Sequence, residues 1–462
     1  MEAKDITARL ADFIESTEIS DIPGHVLQTA KLLVSDFLGV ATAGSVEPSA
    51  KIIQEVISEQ GRNGKAIVIG TDMRSHPTWS SLANGISGHT VDFDDVSQPM
   101  YGHPTTAVLP AALALGELLD ISGSELLKSY IIGLEIAVKL SYAMNPAHYE
   151  HGWHSTCTLG SIGSTAAAAK LLGLKGHQLR TALALGASQA GGLQQNFGTM
   201  IKPFHAGRAA QNGVLAAILA QRGWTGDQNI LESPLGFFHV FCGEGRYDGQ
   251  KSVDMLGSPF DIEQPGIILK KFPSCAFSHP VIDAALQIAG DAQYEPEAIE
   301  RVEGHIHALA DQILIHRNPH TGLGAKFSLE ACIALALVDG TVSTKSFTDE
   351  KVSSKAVQQM MSLVQRKIAP GAQTGPEAFG PATVKVFLKD GRKLEARVEK
   401  ARGNPENPMS PQEVQDKYLD CCSGILTQRS IDRSLSLLAN LDNLEAIGEL
   451  TDCYRIPQNK HE

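Results

Sequence analysis

Two stretches of the chain, GSIGSTAAAAKLLGL (160–174) and AGRAAQNGVLAAILAQRG (206–223), are long enough for helices and are built largely from Gly, Ala and Ser. Small side chains let helix axes approach closely, so such segments belong at the centre of a large bundle. A second kind of helix is VLQTAKLLVSDFLGV (26–40), where Val26, Ala30, Leu33, Val34, Phe37 and Leu38 follow the i, i+3, i+4 spacing of a half-buried face. The first 260 residues read as helices of these two kinds.

The texture changes after about residue 267. RVEGHIHALA (301–310) alternates like a strand. ATVKVFLKDGRKLEARVEK (382–400) reads as a hairpin: two alternating runs flank the turn pair Asp390-Gly391. KFSLEACIALALVDG (326–340) reads as a helix between them. ARGNPENPMSPQEV (401–414) gathers three prolines and marks a linker, after which the helical pattern returns. The expected architecture is mainly α with an inserted α+β domain. Residues 1–267 and 404–462 form one all-helical domain from both chain ends, and 268–403 form the smaller α+β unit.

The 462 residues exceed one ordinary core, and shares of 43% apolar and 19% charged residues are those of a soluble globular protein. A formal charge of −12 argues against nucleic acid as a partner, because neutralising phosphates needs a basic face. It leaves room for a small anionic substrate in a local cationic pocket. The seven cysteines form no C-x-x-C pair and fit reduced thiols. The start, MEAKDITARL, has no apolar signal region, and no run of 18 apolar residues occurs. These features set the expectation of a cytoplasmic protein with no membrane partner.

Reactive side chains collect in four loop-like stretches. DFDDVSQPMYGHPTT (92–106) brings Asp92, Asp94, Asp95 and His103; HYEHGWHSTCTLG (148–160) brings His148, Tyr149, His151 and His154. GGLQQNFGTMIKPFHAG (191–207) brings Lys202 and His205, followed by Arg208; KKFPSCAFSHP (270–280) brings Lys270, Lys271, Ser274, Cys275 and His279. Three histidines spaced by three residues fan around a helix instead of sharing a face, and no H-E-x-x-H motif or cysteine ligand set accompanies them. No metal is therefore expected. The glycine-rich runs match neither a dinucleotide fingerprint nor a Walker loop, so no cofactor is expected either. What remains is proton chemistry on an anionic carbon acid. His103, His154 and Lys202 are the candidate acids and bases, and Lys202, Arg208 and Lys270 or Lys271 the carboxylate partners. Asp92 is expected to orient His103, while Asp94 and Asp95 read as caps or braces of the loop and Cys275 as a small buried hydrophobe.

The same four stretches, with AKFSLEACIALALVDG and NPENPMS, resemble the MmgE/PrpD family over nearly the whole chain. Its members dehydrate 2-methylcitrate, decarboxylate cis-aconitate or epimerise iminodisuccinate. The resemblance implies a helical domain with an inserted α+β lid, a homodimer, and an active site between the domains that uses no metal or organic cofactor. It places Asp92, His103, His154 and Lys202 in the cleft, with Lys270, Ser274 and Cys275 from the lid side. Tyr149 matches a possible proton-transfer tyrosine of the epimerase. Under this reading Lys202 and His154 (or Tyr149) move protons alpha to a carboxylate, His103 acts as a second acid, and Lys270 and Arg208 anchor carboxylates. Ala331 and Cys275 depart from the decarboxylases, which carry a tyrosine at the first position and, in animals, a histidine at the second. The expectation is a cofactor-independent lyase of a small di- or tricarboxylate. The alternatives are a dicarboxylate epimerase and, from another class, a catalytically silent carboxylate-binding or scaffold protein.

Overall fold

A computed structural model describes residues 5–60, 63–369 and 379–456. The helices Pro77–Thr90, Pro104–Leu119, Ser155–Leu171 and Ile201–Gln221 pack on one another at the centre, and Gly123–Met144 lies against Ser155–Leu171. Both small-residue stretches fall in this group. A Cβ added to Gly85 would lie 2.6 Å from the Cα of Gly207, so these two helices touch through bare backbone. The amphipathic segment lies in the helix Gly24–Gly44, whose buried side chains share a core with Tyr418, Cys422, Ile431 and Leu438 from the C-terminal helices Pro411–Cys422 and Gln428–Ala439. Both ends of the chain thus build one helical unit. Gly24–Gly44 is also long and apolar enough to cross a membrane, but most of its residues face protein.

Strands β1 (Ala66–Ile67) and β2 (Arg74–Ser75) form a small clip on the helical unit. The main sheet comprises β3 (Ile299–Ile306), β4 (Val364–Ile368), β5 (Ala382–Leu388) and β6 (Lys393–Val398), in the order β4-β3-β5-β6. Val386 faces Val302 on one side and Leu394 on the other, and Gly391 turns the expected hairpin at φ 89°. The helices His279–Ala289 and Leu329–Asp339 complete the core of this domain.

Three local expectations need correcting. The strand expected over 301–310 ends at Ile306, because His307 caps a new helical turn by accepting from Leu309 N at 3.2 Å. The helix expected over 326–340 begins at Leu329, since Ser328 takes the N-cap, and it stops at Gly340 with φ 63°. The linker is shorter than 401–414: Ser410 and Glu413 form a capping box, so Pro411 already occupies the first helical turn. Where the chain passes between the two units, Ile268 pairs with Val96 and Leu269 N donates to Gly403 O at 3.0 Å. The loop bearing Asp92 is thereby stitched to the start of the lid.

Candidate active site

Three helices of the central group point their N-termini at one cavity. His103 is the N-cap of Pro104–Leu119, His154 is the N-cap of Ser155–Leu171, and Lys202 lies in the first turn of Ile201–Gln221. Pro104 at the first helical position fixes the start of its helix directly after His103. The positive ends of three helix dipoles therefore favour anionic charge in this space. The cavity is lined by Asp92, His103, Tyr149, His154 and Lys202 from the helical unit, and by Cys275, Phe277, Ile313, Phe327 and Phe379 from the lid. About 30 Å³ is open to a water-sized sphere, room for a few waters but not for a tricarboxylate.

Asp92 and Asp94 are equally buried and take opposite partners. Asp92 Oδ1 lies 3.1 Å from Lys202 Nζ and 2.5 Å from Lys270 Nζ. Burial alone would raise the Asp92 carboxyl, but the two ammonium groups outweigh it and hold it well below the usual carboxylate range. Its Oδ2 has no hydrogen-bond partner among the described residues. Asp94 Oδ2 lies 2.8 Å from His89 Nδ1 and 3.1 Å from His103 Nδ1. The carboxylate beside His103 is therefore Asp94, within ion-pair distance though outside hydrogen-bond geometry, while Asp92, expected in that place, is bound to the two lysines; Asp94 takes histidines as its partners in place of a loop N–H. Asp95 does brace the loop: it accepts from Thr105 N at 3.3 Å and also binds the Thr105 hydroxyl. Burial pushes its carboxyl up to about 8.

Burial, with the neighbouring lysines, keeps His103 and His154 below the ordinary histidine value, so both are neutral at pH 7. His154 Nδ1 is 3.0 Å from His205 Nδ1, and burial takes His205 down to about 4. Tyr149 is held well above the ordinary phenol by burial and keeps its proton. Burial raises the Cys275 thiol to about 11, which leaves it neutral.

Four residues assigned to substrate binding need sorting. Only Cys275 lines the cavity. Lys270 is fully buried and spends its ammonium on Asp92, donating to both Oδ1 and the backbone carbonyl. Ser274 pairs with Ser278 at 2.9 Å. Arg208 is nearly two turns further along its helix than Lys202, half-buried, and donates to Gln211 Oε1 at 2.6 Å. Neither Ser274 nor Arg208 meets the cavity, because on a helix or tight turn only part of a reactive stretch can face one side.

His89 was not expected beside the site, and Lys326 was not expected behind it, donating to Val91 O. His89 closes the helix Pro77–Thr90, five residues before Asp94, and its ring lies 4.4 Å from that of His103. Ligand atoms of His89, Asp92, Asp94 and His103 fall within 4.8 Å of one another, the spacing of a small-cation site. A cation there would sit against the two lysines already bound to Asp92, and that charge opposes it.

Comparison with known proteins fits this geometry. Residues 8–250 match the MmgE/PrpD N-terminal domain, and residues 272–443 match the MmgE/PrpD C-terminal domain. The cis-aconitate decarboxylase of Homo sapiens is 28% identical over 99% of this chain and 96% of that protein. The cis-aconitate decarboxylase of Mus musculus is 27% identical over 100% and 96%, and that of Aspergillus terreus 26% over 98% and 96%. With two family domains matched in succession and decarboxylases aligned almost end to end, the chain belongs to the MmgE/PrpD family and is similar over its length to lyases within it.

Proposed function

We propose that this enzyme decarboxylates cis-aconitate or a close tricarboxylate analogue, using only its own side chains. The observation that carries the reading is the convergence of Lys202, His103 and His154, from three helix N-termini, on one closed cavity. Loss of CO₂ breaks a carbon–carbon bond and leaves its electron pair on an allylic carbon, conjugated to a remaining carboxylate. The pair shifts through the double bond to the carbon alpha to the far carboxylate, and one proton must reach that carbon to leave the terminal double bond of an itaconate-type product. Lys202 and the helix ends stabilise the developing charge, as fixed cations and dipoles do at any oxyanion.

His103 supplies the proton in this mechanism. In the free enzyme its Nδ1 faces Asp94, which leaves Nε2 as the site that gains and gives the proton. A polyanionic substrate raises the His103 value on binding, and Asp94 stabilises the imidazolium. His154, backed by His205, and the Tyr149 phenol hold the other carboxylates by hydrogen bonds. The lid wall excludes water and has to move for substrate to enter the 30 Å³ space.

A second reading, epimerisation of a dicarboxylate such as iminodisuccinate, is favoured by one observation. The neutral thiol of Cys275 leaves that side of the cavity without an ionisable group for a third carboxylate. Incubation in D₂O with each acid, followed by NMR, separates the two. Itaconate-type product with one deuterium and released CO₂ supports decarboxylation. Alpha-deuterium exchange in iminodisuccinate, with cis-aconitate untouched, overturns it in favour of epimerisation.

A further inference from the structure

Residues 91–93 form a buried, irregular segment whose carbonyls need donors. Each carbonyl receives a lysine, and each lysine comes from a different part of the chain. Lys326 Nζ donates to Val91 O at 2.5 Å, Lys270 Nζ to Asp92 O at 3.0 Å, and Lys417 Nζ to Phe93 O at 2.8 Å. Lys270 is fully buried, and Lys326 and Lys417 are each 7% exposed. Lys417 also donates to Lys270 O at 2.9 Å, pairs with Asp36 at 2.7 Å and stands 4.0 Å over the Phe93 ring.

Burying three ammonium groups is costly, and ordinary backbone N–H donors or water could satisfy three carbonyls more cheaply. Burial pulls the Lys326 ammonium down to about 8, with Asp92 and Glu47 opposing that fall. The held segment is also unusual in conformation. Asp92 sits at φ 54°, in the left-handed region that non-glycine residues rarely adopt, at a cost of about 1 kcal/mol or more. The outcome is that Asp92 turns Oδ1 toward Lys202 and leaves Oδ2 unpaired in the cavity wall.

We propose that Lys326 and Lys417 are positioning residues of the reaction: together with Lys270 they clamp carbonyls 91–93 so that Asp92 is presented to Lys202. Two of the clamps belong to the lid domain and one to the C-terminal helix Pro411–Cys422. The geometry of Asp92 thus depends on the lid being docked and on the chain end being packed. This role rests on the decarboxylase reading for its chemistry, but the clamp can be tested without it.

The variants are Lys326→Met and Lys417→Met in the full-length protein. Lys417→Met alone leaves Asp36 unpaired in the core, so the double variant Lys417→Met/Asp36→Leu, which removes both charges, is made beside it. Hydrogen–deuterium exchange followed by mass spectrometry reads peptides covering 91–96 and, as reference, 123–144. The clamp predicts exchange at 91–96 at least about tenfold faster with the reference unchanged, since local opening moves by the factor its free energy sets. With cis-aconitate, kcat falls about 10- to 100-fold and KM stays within about threefold, the pattern of lost transition-state stabilisation. Unchanged exchange at 91–96 overturns the clamp. Uniformly faster exchange, with kcat per folded molecule intact, also overturns it and makes these lysines ordinary packing residues. A wild-type protein inert toward cis-aconitate defeats the decarboxylase reading, while the exchange result still decides the clamp.

Discussion

The two walls of the cavity differ in kind. The helical wall carries Asp92, His103, His154 and Lys202, each fixed at a helix N-terminus or tied to one by an ion pair. The lid wall offers Phe277, Ile313, Phe327 and Phe379, with Cys275 as a neutral thiol. The lid's own cations, Lys270 and Lys326, turn away from the cavity to the backbone of the Asp92 loop. Chemistry is thus assigned to the helix N-termini, where side chains can be held to fractions of an ångström. The lid side supplies desolvation and a latch. A ligand therefore meets its charges on one wall only.

The largest effect expected from breaking this division is at Lys202. Lys202→Met should lower kcat by about 10³-fold, because it removes the cavity's lysine ammonium, and electrostatic stabilisers of this kind are worth 10² to 10³. Asp92 keeps Lys270 at 2.5 Å, so the fold should hold; circular dichroism and steady-state turnover check both halves. Next comes His103→Gln, expected to cost about 10²-fold as the loss of a general acid. Asp94→Asn should cost about tenfold and lower the pKa seen in kcat/KM, since the imidazolium loses its counter-charge. If Asp94→Asn leaves the pH profile unmoved while Asp92→Asn shifts it, the orienting role returns to Asp92.

That correction marks how far the sequence can be read. The helical unit from both chain ends, the hairpin at Asp390-Gly391 and the small-residue helices were legible, because periodicity and turn chemistry are local properties. So were the four reactive stretches. Which aspartate faces which partner was not, because the positive φ at Asp92 rotates neighbouring carboxylates to opposite sides, and no pattern in VDFDD announces it. His89 carried a faint signal, a histidine at a helix end just before an acidic run. Lys326 and Lys417 carried none, since their partner carbonyls lie 235 and 324 residues away.

The comparison extends to acid stability. His148 lies behind the helical wall, with Nε2 2.8 Å from Thr158 Oγ1, and His279 lies behind the lid wall. Burial takes each down to about 3. Above pH 6.5 both folded and unfolded forms are neutral and nothing changes. Below it only the unfolded form gains the proton, so stability falls by about 1.4 kcal/mol per pH unit for each histidine until about pH 3. Other buried groups, Asp95 with the opposite sign among them, add to the total, so the readout is the difference: urea unfolding between pH 6 and 4 should show a slope smaller by about one proton in His148→Gln than in the wild type. An unchanged slope would mean that His148 already binds a proton in the native state.

On the lid, the expected losses are smaller and of another kind. The Phe327 ring lies 5.8 Å from that of Phe197, and Lys202 Nζ stands 5.3 Å over it. Phe327→Ala should lower stability by about 3 kcal/mol through the cavity it leaves. It should lower kcat/KM about tenfold, mainly through KM, because water enters but no charge is lost. A fall of 10³ in kcat would mean that the lid wall takes part in the chemistry.

The smallest effect is expected at Arg208, and it tests the boundary of the site. By its charge and its place six residues after Lys202, this guanidinium was the natural anchor for a substrate carboxylate. Six residues on a helix is 600°, which turns the side chain about 120° away from Lys202. Accordingly Arg208 binds Gln211 Oε1 at 2.6 Å and does not line the cavity. Arg208→Gln should change kcat/KM by no more than about twofold, the range of substitutions remote from a site. A loss of 30-fold or more would show that this helix face meets the substrate during turnover, and the polar wall would then have to be redrawn nearly two turns deeper.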